Sequence, residues 1–202
     1  MDLKKLTDKL LSSDSIDGLS NLTGVSEKDV KNVLAQALPS LLDGAKGQAK
    51  NKETSEGFAT ALSEHAKNDT NDLTKFLGNV DLADGAKIIK HLLGSNNDTV
   101  VKDVAKQSGV SKAKTSSVLS GLGPLLMSLL GQQTNEDNNK DSGVGNLIGS
   151  LLDNVDLGSL FTGLLGSDDS SSTKKKKSSK KKSASDSGSG NMLTKILKGL
   201  LK

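Results

Sequence analysis

The chain has no cysteine, tryptophan or tyrosine, only three phenylalanines and two prolines, and no arginine among its 202 residues. Without Cys there are no disulfides, no thiolate nucleophile and no zinc-cysteine site, and the composition fits a reducing compartment. Without Trp or Tyr, and with so few Phe, the core must be built from Leu, Val, Ile and Ala, which favours helices over sheets. Without Arg the chain lacks the residue that most often reads base edges and clamps phosphate in two places. There is no apolar run near the roughly 18 residues of a membrane span, and the start, MDLKKLTDKLLSSDS, has no signal-peptide core. A cytoplasmic protein is therefore expected.

Catalytic and cofactor signatures are equally scarce. His91 has Lys87 and Lys90 as helix neighbours, and His65 sits at the end of a polar helix. Each reads as a last-turn histidine that favours the helix dipole, not as a metal ligand or acid-base group. Asp137, Asn139 and Asp141 alternate as in a calcium loop, but the loop glycine is missing and Ile148 stands where the bidentate Glu belongs. Gly143, Gly145 and Gly149 miss the dinucleotide spacing and follow no strand. A nucleophile elbow, a phosphate loop and an HExxH pair are all absent, so neither an enzyme nor a cofactor is expected.

What the chain does contain is amphipathic periodicity. Leu at 3, 6, 10 and 11 shares one helix side, and the same spacing recurs at Leu34, Ala37, Leu41 and Leu42 and at Leu122, Leu125, Leu129 and Leu130. It appears again from Val144, from Leu157 and from Leu193, and Ile88, Leu92 and Leu93 supply its last three positions. The pattern implies short helices that each need a partner face.

Two stretches also repeat at an offset of 85 residues: Gly24-Val25-Ser26 lies on Gly109-Val110-Ser111, Val33-Leu34 on Val118-Leu119, and Pro39 on Pro124. Each reads as helix, Gly turn, Ser cap and long helix. Pro39 is expected to kink or restart its helix after Ala37. Residues 44–56 are expected to be a polar linker, and Asp84 to cap the helix that follows it. PLLMSLLG, from Pro124, is apolar nearly all round and belongs at the centre of the core. The fold expected is all-α: duplicated helix-turn-helix-like units packed as a multi-helix bundle over residues 1–132, with copies at about 1–48 and 82–133. A Gly-rich helical extension (133–166), a disordered Lys/Ser linker (167–190) and an amphipathic helix (191–202) follow.

Charge is segregated along the chain. From Ser167 onward ten Lys face three Asp, a balance of +7, so residues 1–166 hold 17 Lys against 21 acidic groups, or −4. Lys174, Lys175, Lys176, Lys177, Lys180, Lys181 and Lys182, with Lys195 and Lys198 in the terminal helix, are candidates for contact with nucleic acid or an anionic membrane surface. No aromatic is interleaved to stack on bases. Lys112 and Lys114 open the second long helix, and DVAKQSGVSKAKTSSVL resembles a repressor-type helix-turn-helix. LSNLTGVSEKDVKNVL is similar to the opening helices of histone-like nucleoid proteins, although Glu27-Lys28-Asp29 is a poor surface to offer phosphate.

DLADGAKIIKHLLG, followed by VAKQSGVSKAKTSSVLSGLGPLLMSLLGQQ, resembles the bacterial family catalogued as domain of unknown function number 937, over roughly residues 1–132. That resemblance implies an all-helical bacterial protein without assigned activity, and it supplies no catalytic residues. The function expected from the residues themselves is a non-enzymatic protein-interaction or self-association module. The alternatives are a nucleoid-associated protein and a peripheral membrane binder.

Overall fold

The computed structural model describes residues 3–136. They form eight α-helices: α1 Leu3–Leu10, α2 Ser13–Thr23, α3 Glu27–Lys50, α4 Ser55–His65, α5 Leu73–Gly78, α6 Leu82–Leu93, α7 Asn97–Ser108 and α8 Lys112–Glu136. A single 3-10 turn, Gly94–Asn96, joins α6 to α7, and no strand occurs among the described residues. The Gly-rich extension, the lysine linker and the terminal helix expected after residue 136 lie outside the described residues.

Helix α8 is the axis. From Val118 to Gly131 every residue is buried, and α1, α2, α3, α4, α6 and α7 all pack on it. A helix apolar on every side cannot face water, so its neighbours must surround it. Two of its buried hydroxyls are satisfied within the helix, Ser120 Oγ donating to the Ser116 carbonyl at 2.9 Å and Ser128 Oγ to the Pro124 carbonyl at 2.8 Å, whereas the buried Thr115 Oγ1 has no hydrogen-bond partner.

Pro124 shapes the closest crossing. Proline has no N–H, so the Ser120 carbonyl one turn earlier loses its helical donor. A Cβ added at Gly85 would collide with that carbonyl oxygen. The α6 backbone therefore lies directly against the freed carbonyl, an approach only glycine permits. Gly131 plays the same part against the Leu62 carbonyl of α4.

The turns before α3 and α8 share their geometry. Gly24 has φ 65° and ψ 20°, and Gly109 has φ 71° and ψ 16°. Their N–H groups donate to Ser20 and Ala105 respectively, each four residues back. Ser26 Oγ accepts the Asp29 N–H at 3.3 Å, and Ser111 Oγ accepts the Lys114 N–H at 3.4 Å. The packing is crosswise, since α2 contacts α8 while α7 contacts α3.

Three local expectations are corrected. Helix α3 runs unbroken through Pro39 to Lys50, and does not restart after Ala37. Its buried face continues as Leu38, Leu41, Leu42, Ala45 and Ala49, and that packing outweighs one lost backbone bond. For the same reason the first half of the supposed 44–56 linker is helix; only Asn51–Thr54 turns, with Asn51 Oδ1 accepting the Glu53 N–H at 2.9 Å. The cap of α6 is Asp81, whose Oδ1 accepts the Ala83 N–H at 2.7 Å. Asp84 sits inside the first turn.

A polar chain fastens the 66–72 loop to the end of α8. Gln132 Nε2 donates to the Asn68 carbonyl at 2.6 Å, Thr70 Oγ1 to Gln132 Oε1 at 2.8 Å, and Asn68 Nδ2 to Ser128 Oγ at 2.9 Å. From α1, Lys9 Nζ donates to Thr70 Oγ1 at 3.2 Å. The loop carries no regular structure of its own, so these bonds hold it in place.

Two outcomes follow. Gly85→Ala should lower the unfolding free energy by about 2 kcal/mol in denaturant titration, whereas Gly47→Ala, at an open position in α3, should raise it by roughly 0.5–1 kcal/mol. Equal effects would contradict the close crossing. Gln132→Ala should cost about 1–2 kcal/mol and speed amide exchange in residues 66–72 more than in α3. Unaltered exchange there would show that the loop is held by something else.

Candidate functional site

One face of α6 borders two clefts in sequence. Asp81 and Asp84 line the first; Ile88, His91 and Leu92 line the second. Positions 81, 84, 88 and 91 are three or four apart and 92 is four from 88, which places them along one helix side, and the row from Asp81 to Leu92 covers roughly 16 Å. Phe58, Ala61 and His65 of α4 form the opposite wall of the second cleft, and Asp72, Lys75, Phe76 and Asn79 of α5 and its cap form that of the first. The floor comes from α8, with Pro124 under the first and Met127 under the second. His65 borders both. The result is one groove between α6 and the α4–α5 pair, with volumes of about 390 and 380 Å³ in its two parts.

The two parts differ in chemistry. The first holds Asp69, Asp72, Asp81 and Asp84 against the single cation Lys75, above Phe76 and Val80. These carboxylates arrive there through local backbone work. Asp72 Oδ1 accepts the Lys75 N–H at 2.9 Å and caps α5, Asp81 caps α6, and Asp69 Oδ1 accepts the Asn71 N–H at 3.0 Å. Asp84 Oδ1 lies 3.6 Å from Lys87 Nζ, both side chains being largely exposed, so that pair contributes little to stability. Capping thus gathers acidic residues at one end of the groove.

The second part is apolar, with Phe58, Ala61, Ile88, Leu92 and Met127 as its surface. Its rim is pinned by Gln48, which donates from Nε2 to the His91 carbonyl at 2.7 Å, and by Thr54, which donates to the Gln48 carbonyl at 3.1 Å. His91 also borders a separate basic recess on the neighbouring side of α6, lined by Lys87, Lys90, Gly94 and Ser95. Along the groove side of α6 the surface therefore passes from acidic to apolar. His65 Nδ1 lies 3.4 Å from Asn68 Nδ2, which joins the wall of α4 to the fastened loop. No group of three or more His, Asp or Glu among the described residues could hold a metal ion.

The lysines singled out in the sequence lie elsewhere. Lys112 and Lys114 are exposed at the start of α8, and Lys112 Nζ lies 3.6 Å from Asp98 Oδ1. From Val118 to Gly131 α8 is enclosed, so before that stretch the open surface is confined to residues 112–114, 116 and 117, a short surface for a helix meant to enter a DNA groove. Lys174–Lys177, Lys180–Lys182, Lys195 and Lys198 lie outside the described residues. The groove itself was not legible as a site, yet a signal was present. In a chain with three Phe, Phe58 and Phe76 both line the groove, while Phe161 lies outside the described residues. Both His occupy the last turns of α4 and α6, as their spacing implied.

Among the described residues no helix is long and apolar enough to cross a membrane. Neither the curated proteins nor the solved structures give a match to this chain. The family described as bacterial protein of unknown function (DUF937) matches residues 6–133, an interval that takes in every side chain of the groove. By that match, over more than half its length, the chain belongs to the DUF937 family of bacterial proteins of unknown function.

Proposed function

We propose that the protein is a non-enzymatic, cytoplasmic interaction module, built from two copies of one helix-turn-helix unit, that holds a protein segment in the groove along α6. The observation that carries this reading is the continuous row of Asp81, Asp84, Ile88, His91 and Leu92, which borders an acidic and an apolar cleft over a common α8 floor. A groove of three helical turns with half-buried Phe76, Val80, Ile88 and Ala61 on its walls suits a protein element better than a small polar substrate. The matched turn angles at Gly24 and Gly109, together with the 85-residue offset, support descent from a duplicated unit. A nucleic-acid role has less support, because α8 is enclosed from Val118 to Gly131 and α3 opens on Glu27-Lys28-Asp29.

A photo-crosslinking residue at position 61 in the groove should trap a discrete adduct in cells. The same residue at position 31, exposed on α3, should not. Equal labelling at both positions, or none at position 61, would overturn the reading.

A further inference from the structure

The groove is not only present but polarised, and its polarity specifies an occupant. We infer that it receives an amphipathic helix of a partner protein that bears lysines, with its apolar side chains in the α4–α6 cleft and its lysines beside Asp69, Asp72, Asp81 and Asp84. This rests on the interaction reading above and names the chemistry of the partner.

Three features converge on a helix of that kind. Length is the first: the α6 row spans roughly 16 Å, which is the rise of about eleven helical residues, or three turns. A helix of this size is unstable alone and gains its stability on docking. Shape is the second. Small or flat residues, Gly57 and Ala61 on α4 and Pro124 on the floor, leave room above Met127, while Phe58, Ile88 and Leu92 give the walls apolar surface. Such a trough takes side chains at helical spacing from one face of a guest helix.

Charge is the third, and it selects the sign. Four carboxylates and Lys75 line the α5–α6 end, and Lys87 pairs with Asp84 at 3.6 Å, so the end stays net acidic and a guest with acidic side chains there would meet like charge. The loop bond of Asp69 and the capping bonds of Asp72 and Asp81 each use Oδ1, so these residues are fixed in place while remaining acceptors. At the opposite end the lining is apolar apart from Gln48, Thr54, His65 and His91. A guest helix whose positive N-terminal end lies by Asp72 and Asp81 has its dipole matched to these carboxylates and runs parallel to α6.

The test uses the full chain, isotope-labelled, titrated with a synthetic fourteen-residue peptide of leucine and lysine at helical spacing and with its leucine-glutamate counterpart. The lysine peptide should shift the amides of Phe58, Ala61, Phe76, Ile88 and Leu92 in a saturable manner. The double variant Asp69→Asn/Asp84→Asn, which spares the two helix caps, should weaken binding about fivefold with an unchanged unfolding midpoint. Ala61→Trp, which fills the apolar cleft, should weaken it more than about tenfold. Should the tryptophan variant fail to fold, the charge variant still decides. Groove binding of the glutamate peptide with equal or higher affinity would overturn the lysine-bearing guest and leave the groove as an interaction site. Groove amides that respond to neither peptide would overturn the guest and the interaction reading together.

Discussion

The burial of α8 on every side is the constraint from which the rest of the structure follows. A helix that reads Pro-Leu-Leu-Met-Ser-Leu-Leu has no polar face to give to water, and six other helices are needed to surround it. Surrounding it closely requires backbones to approach backbones. Gly85 allows this at the carbonyl that Pro124 leaves without a donor, and Gly131 allows it at α4. The proline and the glycine thus explain each other across the α6–α8 crossing.

The groove is a by-product of the same arrangement. Helices α4 and α6 both lie on α8, and the loop and short α5 between them leave the surface over Pro124 and Met127 partly open. Short helices need caps, and the caps here are Asp72 and Asp81. Caps begin helices, so the carboxylates gather at the end of the groove where α5 and α6 begin, while the other end is left to apolar side chains. The acidity of that end therefore follows from ordinary helix-start chemistry.

Much of the fold was legible because its signals are periodic or positional. The stripes at Leu34 and Leu122, the Gly24 and Gly109 turns and the Ser26 and Ser111 caps are local features, and α8 as the centre could be read from its lack of a polar face. Pro39 misled because its local cost is evident in sequence, whereas the compensating burial of Leu41, Leu42, Ala45 and Ala49 depends on tertiary partners. Asp84 misled because two aspartates three residues apart both suit a cap, and only the backbone at Asp81 is extended, with φ −83° and ψ 113°. The groove was illegible for a deeper reason. Ile88 and Phe76 look like core residues in sequence, and their partial exposure arises from what α4 and α5 fail to cover.

Native-state hydrogen exchange tests the central place of α8 most directly. Amides from Val118 to Leu130 should be the slowest in the chain and should open only with global unfolding, while residues 66–80, at the groove wall, open at lower free energy. If the α8 amides exchange through a partial opening that leaves α3 protected, the helix is not the axis on which the fold depends.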